Sequence, residues 1–183
     1  MTLDAAFDTF SKDAWRLEAL DAYNVPGTTE RMAEFAATGT VAESPGWTKV
    51  ITTALTRGAR IGRVRLVGHP VSDYTRFEVA AYRNNVAAGE DVRLVDRQWL
   101  DSTWDAAPDF WMIDGRVWLM HYTLVGEFLD AVEVPDPTPY IELRRRIEPV
   151  SVPLADFQLT DIPAMRAELA HPASLPAELA TTG

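Results

Sequence analysis

Alternating apolar and charged positions in the middle of the chain predict a parallel strand–helix–strand unit. In residues 61–67, IGRVRLV, apolar and arginine side chains alternate with the period of two that marks a strand. Ser72 is suited to cap a following helix, and Gly89 can end that helix in the left-handed conformation. Residues 91–95, DVRLV, predict a second strand. This succession is typical of a right-handed parallel crossover.

The strongest short-range signal in the chain is the pair Asp114-Gly115, which lies between two β-rich runs, 109–113 and 116–121. A type I′ turn needs positive φ at both central residues, and Asp-Gly is a favoured pair for it. A further strand is predicted over 127–134. The sequence therefore predicts that antiparallel strands follow the crossover.

The N-terminal part of the chain predicts helices. Its first apolar residues recur at helical spacing after a capping Asp4, and they are Phe7, Phe10, Ala14 and Leu17. Residues 15–25 can equally form a strand, so the end of this first helix stays open. Two further helices are predicted in this part of the chain, over 28–38 and 45–58. Another helix is predicted later, over 140–148.

These elements predict one α/β domain of the mixed α+β type over residues 1–149. We expect a mixed sheet with one parallel β-α-β crossover, followed by an antiparallel hairpin and strand, with helices packed on the sheet. Residues 149–183 hold five of the 12 prolines and only scattered apolar residues. The segment 150–183 is therefore predicted to be an appendage, and its part from Leu175 is expected to contribute little to the core.

Composition limits the class of protein. The chain has 183 residues, of which 47% are hydrophobic, so it can bury a sizeable core. It has no cysteine, which excludes a disulfide scaffold, thiolate metal sites and thiol catalysis. No apolar run approaches the roughly 18 residues of a membrane span, and the N-terminus lacks a basic signal-peptide start. We therefore expect a soluble, cytoplasmic protein with no membrane contact.

The charge is acidic overall but uneven along the chain. A net charge of −10 argues against direct binding of nucleic acid. Residues 57–97 nevertheless hold eight arginines against five acidic residues, which suits a small anion or an acidic partner. Arg63, Arg65 and Arg93 are expected to share a sheet face. Such a face is either open and basic or paired with Glu78 and Glu90, and the cost of burying unpaired charge favours pairing.

A group of polar residues follows the first strand of the crossover: His69, Ser72, Asp73, Tyr74, Arg76 and Glu78. The loop after the second strand, 96–99, is expected at the same sheet edge, where open α/β sheets place ligands. Arg76 and Arg97 could then clamp an anion, with Glu78 and Trp99 beside it. The alternative is that these residues only cap the helix and form structural ion pairs.

Motifs for catalysis are absent from the sequence. It contains no phosphate-binding glycine loop and no nucleophile elbow, and the histidines at 69, 121 and 171 lack metal-ligand spacing. We therefore expect no metal and no cofactor. Acid–base chemistry would have to come from a small set of side chains, with these candidates: His69, Asp73, Tyr74 and His121.

Several short motifs occur together in an order that resembles a known family. They are SDYTRFE (72–78), NVAAGEDVRLV (85–95), DFWMID (109–114) and LMHY (119–122). From about residue 5 to residue 148 the chain resembles small actinobacterial proteins that are grouped only as a domain of unknown function. That resemblance implies no established activity. It also implies that the gene, like those of other family members, often lies near a gene that encodes a helix-turn-helix regulator.

A weaker likeness concerns the fold alone. Phospholipase D-like domains carry the motif His-x-Lys-x4-Asp on a strand that leads into an Asp-Gly hairpin. If Asp114 takes the aspartate position, Ala107 and Asp109 stand where the histidine and lysine would be. The likeness therefore implies a fold without a phosphohistidine mechanism, and it supports no activity.

These observations predict a non-catalytic accessory or regulatory domain. Its partner is expected to be a small anionic molecule or a protein, such as a transcriptional regulator or a second copy in a homodimer. The alternative is a cofactor-independent small-molecule enzyme that uses acid–base residues around His69 and Asp73. A cavity at His69 would favour chemistry, whereas a flat apolar surface around Trp99 and Trp104 would favour a protein partner.

Overall fold

Seven strands form one mixed sheet in the computed structural model, which describes residues 1–160 and 174–179. The strands are β1 (Asp13–Glu18), β2 (Arg60–Val67), β3 (Asp91–Asp96), β4 (Phe110–Ile113), β5 (Arg116–Tyr122), β6 (Phe128–Glu133) and β7 (Val152–Pro153). Their order across the sheet is β6-β5-β4-β1-β2-β3-β7. The helices are α1 (Leu3–Thr9), α2 (Thr28–Thr38), α3 (Pro45–Thr56), α4 (Asp73–Ala88) and α5 (Thr138–Ile147). The predicted mixed α+β fold is confirmed.

The parallel crossover consists of β2, α4 and β3, as predicted. β2 and β3 pair in parallel, with Val64 opposite Arg93. The Ser72 hydroxyl accepts the backbone N–H of Thr75 at 3.1 Å, so it caps the first turn of α4. Gly89 ends the helix with φ of 105°, a left-handed conformation that favours glycine.

The first helix is shorter than the sequence predicted, and the chain then forms the central strand of the sheet. α1 ends at Thr9, and β1 lies between β2, its parallel neighbour, and β4, its antiparallel neighbour. The prediction of one helical face including Ala14 and Leu17 was therefore wrong, and the strand alternative holds for part of its range. In β1 these two residues pack into clusters on opposite faces of the sheet.

The Asp114-Gly115 hairpin is confirmed, with φ of 49° and 83° at its two central residues. Residues Ile113 and Arg116 flank the turn as a cross-strand pair. The Asp114 carboxylate also accepts the backbone N–H groups of residues 11–13, at 2.9 Å for Lys12 and Asp13. The turn therefore also holds the segment that leads into β1.

Helices cover both faces of the sheet. On one face, α5 packs Leu143 and Ile147 against a cluster that includes Leu17 and Val64. On the other face, α1 and α3 cover β1, β4 and β5, while α4 covers β2 and β3. A sheet covered on both sides accounts for the nearly continuous burial of β2 and β4.

The C-terminal segment contributes more to the core than the sequence suggested. β7 pairs with β3 at the sheet edge, and Leu175 and Leu179 are each only 3% exposed within the cluster under α5. The prediction that the chain from Leu175 adds little to the core was therefore wrong. Residues 161–173 and 180–183 of the predicted appendage lie outside the described residues.

The hairpin turn can be tested with Gly115→Val. No atom lies within 4 Å of a Cβ added at Gly115, so the left-handed backbone, and not lack of space, resists the substitution. We expect a loss of about 1–3 kcal/mol in unfolding free energy, measured by urea denaturation. Gly115→Asn is the matched control, because asparagine tolerates this conformation and should cost much less. Equal stability of wild type and Gly115→Val would exclude the turn type.

Candidate functional site

Four charged side chains from the two central parallel strands lie side by side on the sheet face that α3 and α4 cover. Arg16 and Glu18 come from β1 and are paired in register with Arg63 and Arg65 of β2. We call these four residues the Arg–Glu cluster. Glu18, Arg63 and Arg65 are at most 7% exposed, so their charges need partners within the protein.

Two glutamates pair with Arg63. Its Nε lies 2.6 Å from Glu90 Oε1, and its Nη1 lies 2.9 Å from Glu18 Oε1. Arg16 Nε lies 3.3 Å from the same Glu18 oxygen. The predicted pairing of this face is thus confirmed for Glu90. Arg93, in contrast, lies in register with an apolar residue on the opposite face and donates to Ser151, so the prediction that it shares this face was wrong.

Aromatic rings from α3 and α4 enclose the Arg63 guanidinium. Its central carbon lies 5.4 Å from the ring centroid of Trp47 and 5.0 Å from that of Tyr82. Both rings also donate to the glutamates, because Trp47 Nε1 bonds to Glu90 Oε2 at 2.9 Å and the Tyr82 hydroxyl bonds to Glu18. The two helices are therefore joined to the sheet through the same ion pairs.

Arg65 is the most deeply buried arginine of the cluster, with no exposed surface. Its Nη2 donates to the backbone carbonyl of Asp21 at 3.1 Å, and its guanidinium faces the rings of Tyr23 and Tyr74. Within the described residues, its Nε and Nη1 make no hydrogen bond. Its charge is balanced through space by Glu18, whose Oε2 lies 3.9 Å from Nη1.

The cluster shifts the pKa of two glutamates in opposite directions. Burial alone would raise the pKa of Glu18, but the charges of the three arginines and the Tyr82 hydroxyl outweigh it and lower this pKa to about 2. Burial and the negative charge of Glu18 raise the pKa of Glu78. The face therefore carries one firmly ionised carboxylate and one that holds its proton more readily.

A cavity of about 530 Å³ lies above the Arg–Glu cluster. Its floor includes Arg16, Glu18 and Arg63, and one wall is the inner face of α4. The residues that α4 contributes are Tyr74, Glu78, Ala81, Tyr82 and Asn85. The aromatic side chains of the other walls are Phe7, Tyr23, Trp47, Trp111, Tyr122 and Phe128. The cavity therefore combines aromatic walls with charged groups on its floor, a combination that is common in small-molecule sites.

The structure uses several of the predicted site residues for internal bonds. His69 Nε2 lies 2.8 Å from Asp96 Oδ2, and Arg97 donates to the backbone carbonyls of Ala19 and Trp104. These contacts join the loops at the carboxyl edge of the parallel strands. None of these residues lines the cavity above the cluster.

Other candidates lie in different places. Asp73 is exposed at the start of α4, and Arg76 follows one turn later. Trp99 packs against Phe157 with ring centroids 5.8 Å apart, so it covers the edge of the core. His121 forms an exposed pair with an acidic residue of β6, at 2.6 Å from Nδ1 to the carboxylate.

Only Tyr74 and Glu78 of the predicted site residues line the cavity. The sequence analysis missed its central members: Arg16, Glu18, Trp47, Tyr82 and Trp111. A signal for the first two existed, because AWRLEA alternates apolar and charged residues just as IGRVRLV does. The helical spacing of the apolar residues that precede this alternation favoured a helix over a strand.

Residues 1–160 and 174–179 contain neither a candidate metal cluster nor a candidate membrane span. No group of three or more histidine, aspartate or glutamate side chains there is placed to hold a metal ion. No helix in that part of the chain has the length and hydropathy needed to cross a membrane. His171 lies outside the described residues.

Glu18→Gln tests the energetic role of the cluster. Removing one partner of a buried ion pair leaves arginine charge uncompensated, so we expect a loss of about 3–5 kcal/mol in unfolding free energy near pH 7. The pKa of Glu18 is about 2 in the fold against an ordinary value of 4.5. Its contribution is therefore present above pH 4.5 and is lost as the pH falls towards 2.

Urea denaturation at several pH values measures both effects. Wild type should lose more stability between pH 4.5 and 2 than Glu18→Gln does. Glu34→Gln, on the exposed surface of α2, is the control and should keep the wild-type stability and pH dependence. The same pH dependence in wild type and Glu18→Gln would show that Glu18 is not held ionised by the cluster.

Comparison with known proteins identifies the family. No curated protein and no solved structure shows significant similarity to the chain. The family model named Domain of unknown function (DUF6879) matches residues 1–159. This match confirms the resemblance to a domain of unknown function, whereas the actinobacterial source and the phospholipase D-like likeness stay predictions. Because the match extends over most of the 183 residues, the chain belongs to the DUF6879 family.

Proposed function

We propose that the protein binds a small organic molecule in the cavity above the Arg–Glu cluster. The observation that carries this proposal is the combination of a charged floor with aromatic walls around a volume of about 530 Å³. Small-molecule sites typically enclose about 300–1,000 Å³ and combine mainly apolar walls with a few placed polar groups. The proposal thus retains the small-molecule binding expected from the sequence. It assigns that binding to the cavity above the Arg–Glu cluster and not to the carboxyl edge of the parallel strands.

The aromatic wall favours a planar ligand. Phe7, Trp47 and Trp111 contact one another, with ring centroids 4.8–5.9 Å apart. Phe7 and Trp47 are only partly buried, so part of each ring is open. A flat ligand can cover such ring surface at little conformational cost.

The floor of the cavity is held in place before any ligand binds. Glu18 and Glu90 fix the Arg63 side chain, and Asp109 and Tyr122 bond to Arg16 Nη2 at 3.2 and 3.0 Å. Side chains that are already ordered lose little further freedom on binding. This preorganisation supports a binding role for the polar floor.

The enzyme alternative was predicted around His69 and Asp73, whereas His69 is bonded to Asp96 in the structure. A histidine bonded to a carboxylate is an arrangement found in acid–base catalysis. His69 and Asp96 do not line the cavity above the cluster, and neither does Asp73. Acid–base catalysis around His69 therefore stays a prediction, and binding is the better supported function.

The binding proposal predicts that Ala81→Phe abolishes ligand binding. Ala81 lines the cavity from α4, so a phenyl ring at this position occupies space that the ligand needs. A panel of planar aromatic acids, amides and purines should contain compounds that raise the melting temperature of wild type by mass action. Quenching of tryptophan fluorescence should accompany the shift, since Trp47 and Trp111 line the cavity.

Ala87→Phe is the matched control, because residue 87 is exposed on the same helix and does not line the cavity. This variant should keep every ligand-dependent shift. The proposal fails if no compound in the panel stabilises wild type. It also fails if the shifts persist unchanged in Ala81→Phe.

A separate observation favours a second candidate function, association with another copy of the chain. β6 is the last strand of the described sheet, and apolar side chains on and before it are exposed: Leu124, Val125, Phe128, Leu129 and Val132. An edge strand can pair antiparallel with its own copy about a twofold axis.

Light scattering should then give a dimer for wild type and a monomer for Leu129→Lys. A monomeric wild type at high concentration would reject this candidate.

A further inference from the structure

Glu78 lines the cavity from α4, and it forms no ion pair with any residue that the structure describes. Its carboxyl accepts a hydrogen bond from the hydroxyl of Tyr74, one turn earlier on the same helix. Two arginines of the cluster lower its pKa through space, but burial and the negative charge of Glu18 outweigh them and raise this pKa. The cavity wall therefore contains a carboxyl group whose negative charge lacks a close partner.

The arginines of the cluster are already balanced by other carboxylates. Three arginines and three carboxylates are joined by ion pairs of at most 3.9 Å, and they are Arg16, Arg63, Arg65, Glu18, Glu90 and Asp109. Arg31 also lines the cavity, but its guanidinium lies over the ring of Phe77, and it forms no ion pair in the described part of the chain. Arg31 is partly exposed, so water screens its charge. An ionised Glu78 therefore adds a negative charge that no arginine of the cavity pairs with.

The inner face of α4 leaves space beside this carboxyl. Ala81 lies one turn after Glu78 and Asn85 lies two turns after it, and all three line the cavity. Glu78 and Asn85 are about 10 Å apart along the helix, with the short side chain of Ala81 between them. The side-chain amide of Asn85 makes no hydrogen bond with residues 1–160 or 174–179. A molecule of two fused rings therefore has room between a carboxyl at one end and an amide at the other.

A carboxyl without an arginine partner matches a particular edge of a ring system. Its two oxygens suit two adjacent N–H groups, which is also why carboxylates pair with the fork of a guanidinium. On an aromatic base, such an edge occurs where an amino group stands beside a ring nitrogen. The carboxyl and this edge form two parallel hydrogen bonds and share one proton. The shared proton removes the cost of an unpaired negative charge in the cavity wall.

Ring faces in the cavity suit the positive charge that such a base acquires with the proton. Phe7 and Phe128 line the cavity, and neither ring faces an arginine among the described residues. A cation over an aromatic face is attracted by the negative charge of the π system. An aromatic anion gains nothing from these faces and is repelled by an ionised Glu78. The cavity thus favours a base over an acid.

We infer that the ligand of this cavity is a flat aromatic nitrogen base, held by the carboxyl of Glu78 through an amino group and the ring nitrogen beside it. This inference rests on the proposed function and specifies its ligand class. Amino-substituted purines belong to this class, and aromatic acids do not. The far end of the ring system lies towards Asn85.

Three quinolines of similar size test the inference on wild type by calorimetry. In 2-aminoquinoline the amino group stands beside the ring nitrogen. In 4-aminoquinoline, which is also a base, the two groups are on opposite sides of the ring, and quinoline-2-carboxylate is an anion. We expect 2-aminoquinoline to bind at least about tenfold more tightly than 4-aminoquinoline, because a second charge-assisted hydrogen bond is made. Quinoline-2-carboxylate should bind most weakly.

Glu78→Met tests the residue, because methionine has a similar length and no acceptor for the base. Binding of 2-aminoquinoline should fall to the level of 4-aminoquinoline, whereas quinoline-2-carboxylate should bind more tightly than it does to wild type. The melting temperature should not fall, since no ion pair is lost. Glu34→Met is the matched control, because residue 34 is exposed on α2 and does not line the cavity. This variant should keep the wild-type affinities for all three quinolines.

The outcomes separate the inference from the proposed function. Equal binding of the two aminoquinolines to wild type overturns recognition of the edge, and tightest binding of quinoline-2-carboxylate overturns the ligand class. A preference for 2-aminoquinoline that survives Glu78→Met overturns the role of Glu78. If no quinoline binds while compounds of another class bind and are blocked by Ala81→Phe, the inference fails and the proposed function stands. If no compound of any class binds wild type, both fail.

Discussion

Burial of arginine and glutamate side chains in the middle of the sheet is the constraint on which the rest of this structure depends. Taking such charges out of water costs several kcal/mol per ion unless close partners replace the water. Glu18 and Glu90 provide those partners for Arg63, and both glutamates also accept bonds from rings of α3 and α4. The positions of two helices over the sheet are therefore tied to the same few ion pairs.

The cavity lies over the same charged residues. An aliphatic cover would remove the hydrogen bonds that Trp47 and Tyr82 give to the buried glutamates, which would cost free energy. The helices instead contact the cluster through Trp47 and Tyr82 and leave space beside these rings. The opposite face, which carries aliphatic side chains such as Leu17, is closed by α5. One sheet thus has a face that α5 closes and a face with a cavity above the Arg–Glu cluster.

Prediction from sequence succeeded where the signal is local. Gly89 and Asp114-Gly115 adopt the backbone conformations that their residue types favour, so the crossover and the hairpin could be predicted. The central strand β1 was predicted only as one of two alternatives over 15–25, because the spacing of Phe7 and Phe10 also resembles a longer helix. The expected anion site at the carboxyl edge was placed on residues such as Arg97, whose donors the structure uses for backbone carbonyls.

The sequence by itself determined the class of fold, the hairpin turn and the need for pairing of the strand arginines, since these follow from periodicity, backbone preference and the cost of buried charge. Tertiary structure alone decided which carboxylates meet Arg63. Glu18 and Glu90 are 72 residues apart in the chain, and only the parallel pairing of β1 with β2, together with the end of α4, places both beside one guanidinium. Contacts between distant segments depend on register and packing, which no local pattern of residues specifies.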